Sequence, residues 1–358
     1  MKKAKILFNN IKALRNYHQH RIELNNPPSF IWLEPTNHCN LKCIMCPNGT
    51  DMVNVQKGRM EYELYKNIID EIKDYASSIT LAIGGESMMH SEFFDMIKYA
   101  SSNGIKVLLN TNATLLNREK ADLLLESGVS SVSFAFDGFN KEMYEKARVG
   151  SNFDKTLENI LYFLELKKKK MLKLPYTVLS ILMLEIGNYT EEEKCSFLKR
   201  FNNLIDEVRL REVSTWGNTF KDTDEFSFRK HNGFFAPCSR IWSTTCIMWN
   251  GDVVPCIYNA NHEYVLGNIK DNGLLDIWNN QKIVQLRKSM LEGTYLDISP
   301  LCENCIVLGT PTMLGIPSGI RLTLTDAVTN IIGYNFEKFA LYFANKLKRG
   351  KFSSVTLN

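Results

Sequence analysis

The 358-residue chain has no run of roughly 18 uncharged apolar residues, so no membrane-spanning helix is expected. A secretory signal is missing too. The opening MKKAKILFNNIKALRNYHQH breaks its apolar stretch with Asn, Lys and Arg and offers no small-residue cleavage site, so the chain reads as cytoplasmic. Charge of one sign is not in excess. Lys and Arg total 43 against 39 Asp and Glu, and a net +4 does not by itself imply nucleic acid or a membrane as partner. No internal repeat or low-complexity tract occurs. The length suits one large domain plus a smaller one.

Cysteine is the residue present in unusual pattern. Nine cysteines in a reducing compartment are not expected to form structural disulfides, and an odd count cannot pair completely. Cys39, Cys43 and Cys46 form one cluster, and Cys238, Cys256, Cys302 and Cys305 a second, dispersed group. Cys195 and Cys246 are left over, as buried hydrophobes or inert thiols. The grouping predicts two metal sites.

Hydrophobic periodicity gives a strand-then-helix rhythm. Strands are expected at Phe30–Glu34, Ile79–Ile83, Ile105–Leu109, Ser131–Phe136, Leu174–Leu184 and Glu207–Val213. Helices are expected near Tyr62–Tyr75, Ser91–Ser102, Arg118–Glu126, Phe153–Lys169 and Glu191–Asn202. Six strands separated by helices predict a parallel sheet, as an open doubly wound sheet or a partial barrel; periodicity does not choose. In the fourth strand Val132, Phe134 and Phe136 share one face, with Ser131, Ser133 and Ala135 on the other. That small face either lines a space or packs tightly. After Val213 the pattern turns to loops, and Asn250-Gly251 predicts a hairpin between Ile247–Trp249 and Val253–Ile257. Thr323–Arg349 reads as an amphipathic helix whose terminal Lys346, Lys348 and Arg349 suit the helix dipole, a membrane-surface anchor being the alternative. Lys167–Lys170 reads as a solvated helix end.

The first cluster lies in Glu34-Pro-Thr-Asn-His-Cys39-Asn-Leu-Lys-Cys43-Ile-Met-Cys46. Three thiolates on a short loop suit three irons of a cubane, leaving the fourth open. Zinc completed by His38 is the competing reading. The three-then-two spacing after a first strand resembles the radical SAM superfamily, in which S-adenosylmethionine (SAM) chelates the open iron and is cleaved reductively to a 5′-deoxyadenosyl radical. By that resemblance Cys39, Cys43 and Cys46 hold the SAM-binding [4Fe–4S] cluster, and Met45 takes the usually aromatic place near the adenine. Gly84-Gly85-Glu86-Ser87 resembles the family's Gly-Gly-Glu-Pro motif, which contacts the SAM amino group, with Ser87 in place of proline. Asn110-Thr111-Asn112-Ala113 resembles its Thr-Asn-Gly turn. Asn112, Ser133 and Arg148 become candidate SAM contacts, with Asp137-Gly138 marking the exit of the fourth strand. The resemblance covers about Phe30 to Val213 and implies the partial (β/α)6, TIM-like barrel.

The second group has a glycine, Gly251, five positions before Cys256, and the pair Cys302-Glu-Asn-Cys305. On spacing alone four such thiolates hold either zinc or a closed [4Fe–4S] cluster. Context resembles the SPASM/twitch domains of radical SAM proteins. A full SPASM domain has seven cysteines, and none follows Cys305, so the set is more similar to the twitch variant with one auxiliary cluster. Cys256 is expected on the hairpin's return strand.

The expected organisation is a helical extension over 1–29, the barrel over 30–214, a SPASM/twitch-like hairpin and helix domain over 215–310, and a C-terminal helical extension over 311–358. A closed auxiliary cluster suits electron transfer. The resemblance therefore implies a radical SAM oxidoreductase acting on a small polyhydroxylated or sugar-like substrate, with SAM, two [4Fe–4S] clusters and a flavodoxin or ferredoxin reductant. Arg211, Glu212 and Glu185, near late strand ends, are candidate substrate contacts, with solvated surface charge the default reading there; the catalytic base is unassigned. A peptide maturase is the second reading, disfavoured because 29 residues are too few for a leader-binding domain. A non-catalytic metal-binding protein is the third.

Overall fold

The computed structural model describes residues 2–184, 186–216, 219–220, 237–259, 261–303, 305 and 308. Glu185 and the expected helix at Thr323–Arg349 lie outside them. In chain order the strands are β1 (Phe30–Leu33), β2 (Lys42–Cys43), β3 (Ser78–Leu81), β4 (Lys106–Thr111), β5 (Ser131–Ala135), β6 (Arg148–Val149), β7 (Tyr176–Leu182), β8 (Glu207–Arg211), β9 (Thr244–Ile247), β10 (Asp252–Val254) and β11 (Gly267–Asn268). The helices are α1 (Lys2–His18), α2 (Tyr62–Ile72), α3 (Phe93–Ser102), α4 (Arg118–Glu126), α5 (Lys141–Ala147), α6 (Phe153–Lys169), α7 (Glu191–Lys199), α8 (Leu274–Trp278) and α9 (Gln281–Glu292).

The six expected strands pair in parallel in the order β1-β3-β4-β5-β7-β8, the strand arrangement of a partial barrel. Local chemistry sets the helices between them. In α2, Tyr65, Ile68, Ile69 and Ile72 recur at helical spacing and are buried. Asn117, Asn152 and Thr190 cap α4, α6 and α7, the last through a capping box with Glu193. The end of α6 is only partly the solvated face expected: Lys167 is buried and its Nζ donates to Asp206 at 2.6 Å, while Lys168, Lys169 and Lys170 are exposed.

Register fixes which residues share the inner face. Trp32, Thr80, Leu108, Ser131 and Tyr176 form one row, followed by Asn110, Ser133, Val178 and Glu207, then Ala135, Ser180 and Arg209, and finally Leu182 and Arg211. The alternate residues Val132, Phe134, Leu179 and Val208 are buried on the other face. Ser131, Ser133 and Ala135 remain partly accessible, so the small face of the fourth strand lines a space.

The expected hairpin forms with two differences. Its strands are β9 and β10, shifted toward the N-terminus, with Gly251 at φ +94° in the turn. Cys256 therefore lies in the turn two residues beyond β10 rather than on the strand. Moreover, β9 pairs in parallel with β1, Phe30 opposite Thr244 and Leu33 opposite Ile247, which extends the barrel sheet to nine strands.

Candidate cofactor site and auxiliary cysteine group

The cysteine loop leaves β1 and is tied on three sides. Lys42–Cys43 pairs with Arg148–Val149, a two-residue ribbon that brings Arg148 against the loop. Arg148 Nη2 donates to Asp137 at 2.6 Å, and Nη1 lies 3.9 Å from Cys43 Sγ. Its Nε is buried with no hydrogen-bond partner. Asp137, one residue past Phe136, also accepts from the Leu182 N–H at 2.7 Å, so the guanidinium is held from the ends of two strands. On the other side Asn112 Nδ2 lies 4.0 Å from Cys39 Sγ and 3.1 Å from Asn40 Oδ1. Burial pushes the Cys43 thiol up to about 12, against the opposing pull of Arg148.

The Gly-Gly-Glu segment is the third tie. The Glu86 N–H donates to the His38 carbonyl at 2.9 Å. Its buried carboxylate accepts from Thr111 Oγ1 and from the Asn112 N–H, both at 2.8 Å. Burial raises its pKa, and these donors oppose the rise. Glu86 thus locks the turn after β3 to the cysteine loop and to the end of β4. A Cβ on Gly85 would meet the carbonyl oxygens of Thr36 and His38 at 2.4 and 2.5 Å, so only glycine fits there. The Gly84 carbonyl accepts from Asn48, which in turn accepts from Lys57. Ala113 stands at φ +58°, the conformation for which glycine is the usual residue.

Sequence reasoning quotes Glu34 but gives it no role. Its carboxylate accepts from the Gly84 N–H at 2.9 Å and from the Trp249 N–H at 3.4 Å, joining the glycine turn to the hairpin. Burial lifts it to about 7, with both N–H donors and Lys57 pulling the other way. The available signal is its place, an acid one residue past a buried strand.

Of the other candidate SAM contacts, Ser133 faces the lumen and Met45 is buried in a cluster with Leu41, Ala147, Leu184 and Ile186. Arg211 and Glu212 are exposed at the end of β8.

In the second group Arg240 is the common neighbour. Burial opposes its charge, but Cys256, Tyr258, Cys238 and Cys305 together raise its pKa. Cys302 is pushed up to about 12 by burial first and then by Cys238 and Cys256. The four thiols therefore share one electrostatic neighbourhood. Cys305 donates its N–H to the Cys302 carbonyl, and the Tyr258 N–H points at Cys256 Sγ at 3.5 Å. Cys246 is buried; Cys195 is exposed on α7, so it is no buried hydrophobe.

Both sets fit iron–sulfur ligation. The thiols within each set are electrostatically coupled; in the first, Asn112 and Arg148 donors lie beside Cys39 and Cys43 and the buried Arg148 Nε lacks a partner, and in the second the Tyr258 N–H faces Cys256. The family model of the radical SAM superfamily matches residues 33–194, and that of the SPASM iron–sulfur cluster-binding domain matches 238–306. The chain carries a radical SAM domain followed by a SPASM domain. These domains imply [4Fe–4S] clusters and SAM binding.

Among relatives, the AdoMet-dependent heme synthase of Methanosarcina barkeri is 33% identical over 140 residues, 39% of this chain and 40% of that protein. The match thus spans well under half the length of that relative. The tungsten-containing aldehyde ferredoxin oxidoreductase cofactor-modifying protein of Pyrococcus furiosus is 23% identical over 316 residues, 77% of this chain and 86% of that one. Among solved structures, BtrN in complex with AdoMet and 2-DOIA superposes at TM-score 0.54 and 19% identity, covering 80% of this chain and 97% of that chain. SuiB of Streptococcus suis bound to precursor peptide SuiA gives 0.60 and 16%, covering 77% and 69%. At these identities the likeness is one of fold. No helix among the described residues is long and apolar enough to cross a membrane.

Proposed function

We propose that this chain is a radical SAM oxidoreductase acting on a small polyhydroxylated substrate inside the partial barrel. Cys39, Cys43 and Cys46 would hold the SAM-binding cluster, and Cys238, Cys256, Cys302 and Cys305 the auxiliary one. When bound, these groups supply reductive SAM cleavage, the hydrogen-abstracting radical and an acceptor for the substrate's second electron. The protein's own residues supply placement. Gly84 and Gly85 let the backbone approach the SAM amino group, with Glu86 bracing the turn. Asn112 and Ser133 are the proposed SAM contacts along the strand ends, Arg148 screens the cluster's negative charge beside Cys43, and Met45 packs toward the adenine.

The observation that carries the substrate reading is the lumen face. Asn110, Ser133 and Glu207, then Ser180 and Arg209, present hydrogen-bonding groups in successive rows. Arg209 and Glu207 are paired at 2.6 and 2.8 Å, so their remaining donors and lone pairs are fixed in direction. A hydroxyl-rich molecule matches such a wall better than an apolar one. The proposed domain limits are 30–214 for the barrel and 215–310 for the auxiliary domain, with flavodoxin or ferredoxin as reductant.

A peptide maturase is the second reading, favoured by the fold likeness to the peptide-bound structure of SuiB. Anaerobic reconstitution tests the common core: about eight irons per chain and dithionite-dependent 5′-deoxyadenosine are expected. About four irons plus zinc would remove the auxiliary electron acceptor. Deuterium transfer into 5′-deoxyadenosine from labelled sugar alcohols, against none from peptides, is the expected result; the reverse refutes the substrate reading.

A further inference from the structure

Helix α1 buries three asparagines and leaves two large apolar side chains exposed. Its buried face carries Asn9, Asn10 and Asn16 beside Ile6, Ala13 and Tyr17, while Phe8 and Ile11 are 64% and 49% exposed. The buried face is committed to the protein. Asn9 Nδ2 donates to Ser29 Oγ and to the Pro27 carbonyl, both at 3.1 Å, Asn16 donates to Asn25 and Asn26, and Lys2 donates to the Asn103 carbonyl. The Tyr17 hydroxyl reaches the Pro237 carbonyl at 2.9 Å. The outward stripe is Ala4, Phe8 and Ile11, with Leu7 and Leu14 half-buried beside it. At helical spacing Lys5 and Lys12 flank the stripe on one side, Lys3 on the other, and Arg15 ends it; all four are exposed. No acidic residue precedes Glu23.

We propose that this face seats the enzyme on an anionic lipid surface. Aromatic and aliphatic side chains flanked by lysines on an acid-free helix match an interfacial helix lying in the headgroup plane. The lysine stems span to the acyl boundary while their ammonium groups meet lipid phosphates. Position separates this from docking of an acidic electron carrier at the Cys39–Cys46 site. Ser29, Tyr75 and Asn103, which α1 contacts, precede β1, β3 and β4. The helix therefore lies at the N-terminal ends of the strands, whereas Cys39–Cys46, Gly84–Glu86 and Asn112 follow their C-terminal ends. At about 3.3 Å per residue, the four residues of β1 alone separate the two ends by about 13 Å. A membrane at α1 leaves the barrel mouth open; a reductant there would meet Cys238 through the Tyr17–Pro237 contact, not Cys39–Cys46, and the flavodoxin arm below separates that outcome.

The test is anaerobic co-sedimentation of the full reconstituted chain with phosphatidylcholine vesicles, with and without about 30% phosphatidylglycerol. Binding only to the anionic vesicles is expected, weakening in about 1 M salt. The Phe8→Asp/Ile11→Asp pair and the Lys3→Glu/Lys5→Glu/Lys12→Glu triple should each reduce the bound fraction about tenfold. Circular dichroism melts and 5′-deoxyadenosine formation should stay unchanged. Equal binding to neutral vesicles, or retention of binding by either variant, overturns the proposal. So does a chain that ignores vesicles while the Asp pair dissolves a self-association, or while the Glu triple slows reduction by flavodoxin.

Discussion

Replacing Glu34 with Gln isolates a charge that the fold holds at the junction of its two halves. The carboxylate is 1% exposed and sits at about 7, against an ordinary value of 4.5. Because the folded value is raised, the unfolded chain releases the proton first. Between about pH 4.5 and 7 the folded state holds one more proton, and stability falls as pH rises. The full loss is about 3 kcal/mol by pH 7 and constant above it. Glutamine removes this slope. It also leaves one of the two backbone donors, Gly84 or Trp249, without an acceptor, a pH-independent cost of about 1–3 kcal/mol. The expected result is that E34Q is the weaker protein near pH 5 and gains on wild type toward neutrality. At about 2–4 °C per kcal/mol the relative melting temperature should move by about 5–10 °C over that range. Anaerobic melts of both proteins from about pH 5 to about pH 8.5 measure it. Parallel curves, with a constant difference at every pH, would show that Glu34 is ionised throughout and refute the reasoning.

Gly85→Ala drives a Cβ into two backbone carbonyls, whereas Gly84→Ala meets the tip of the Glu34 carboxylate at 2.6 Å. G85A should therefore lose more bound iron and more SAM cleavage than G84A, and equal losses would count against the close backbone approach. Arg148→Leu strands Asp137, whose side chain is 1% exposed, and should cost about 3–5 kcal/mol. Adding Asp137→Asn should recover part of that loss in a double-mutant cycle of melting temperatures; strict additivity would deny the coupling. Arg287 is fully buried, donates to the carbonyls of Ile241, Ile22 and Trp278, and stacks 4.5 Å from the Trp278 ring. Arg287→Met leaves three acceptors unsatisfied and should destabilise by about 3 kcal/mol or more; a melt within about 2 °C of wild type would contradict this.

Much of the barrel is legible because its signals are periodic. Periodicity gives helix α6 its observed bounds and reveals the two faces of β5, since Val132, Phe134 and Phe136 alternate with Ser131, Ser133 and Ala135. The β2–β6 ribbon is not legible. Two residues per strand carry no period, so nothing announces that Arg148 will be delivered to Cys43. The burial of asparagines on α1 is hidden for a related reason. Burial of Asn9 and Asn16 follows from acceptors at Ser29, Pro27, Asn25 and Asn26, a tertiary match that no hydrophobic pattern encodes. The hairpin is expected a few residues late because Asn250-Gly251 fixes the turn but not the length of strand that β1 pairs.

That last pairing changes how the two cysteine groups relate. A domain boundary is expected near residue 215, and across it β9 extends the barrel sheet alongside β1. The same β1 ends at Glu34, whose two oxygens hold the glycine turn on one side and Trp249 of the hairpin on the other. The Trp249 ring also covers Gly58, where a Cβ would meet it at 2.3 Å. Gly58 in turn accepts from Thr36 Oγ1 at the start of the cysteine loop. The loop carrying Cys39–Cys46 and the hairpin preceding Cys256 are thus both fixed to one strand end. The electron transfer proposed above requires a fixed separation between the two centres, and the continuous sheet together with one shared hydrophobic core would supply it.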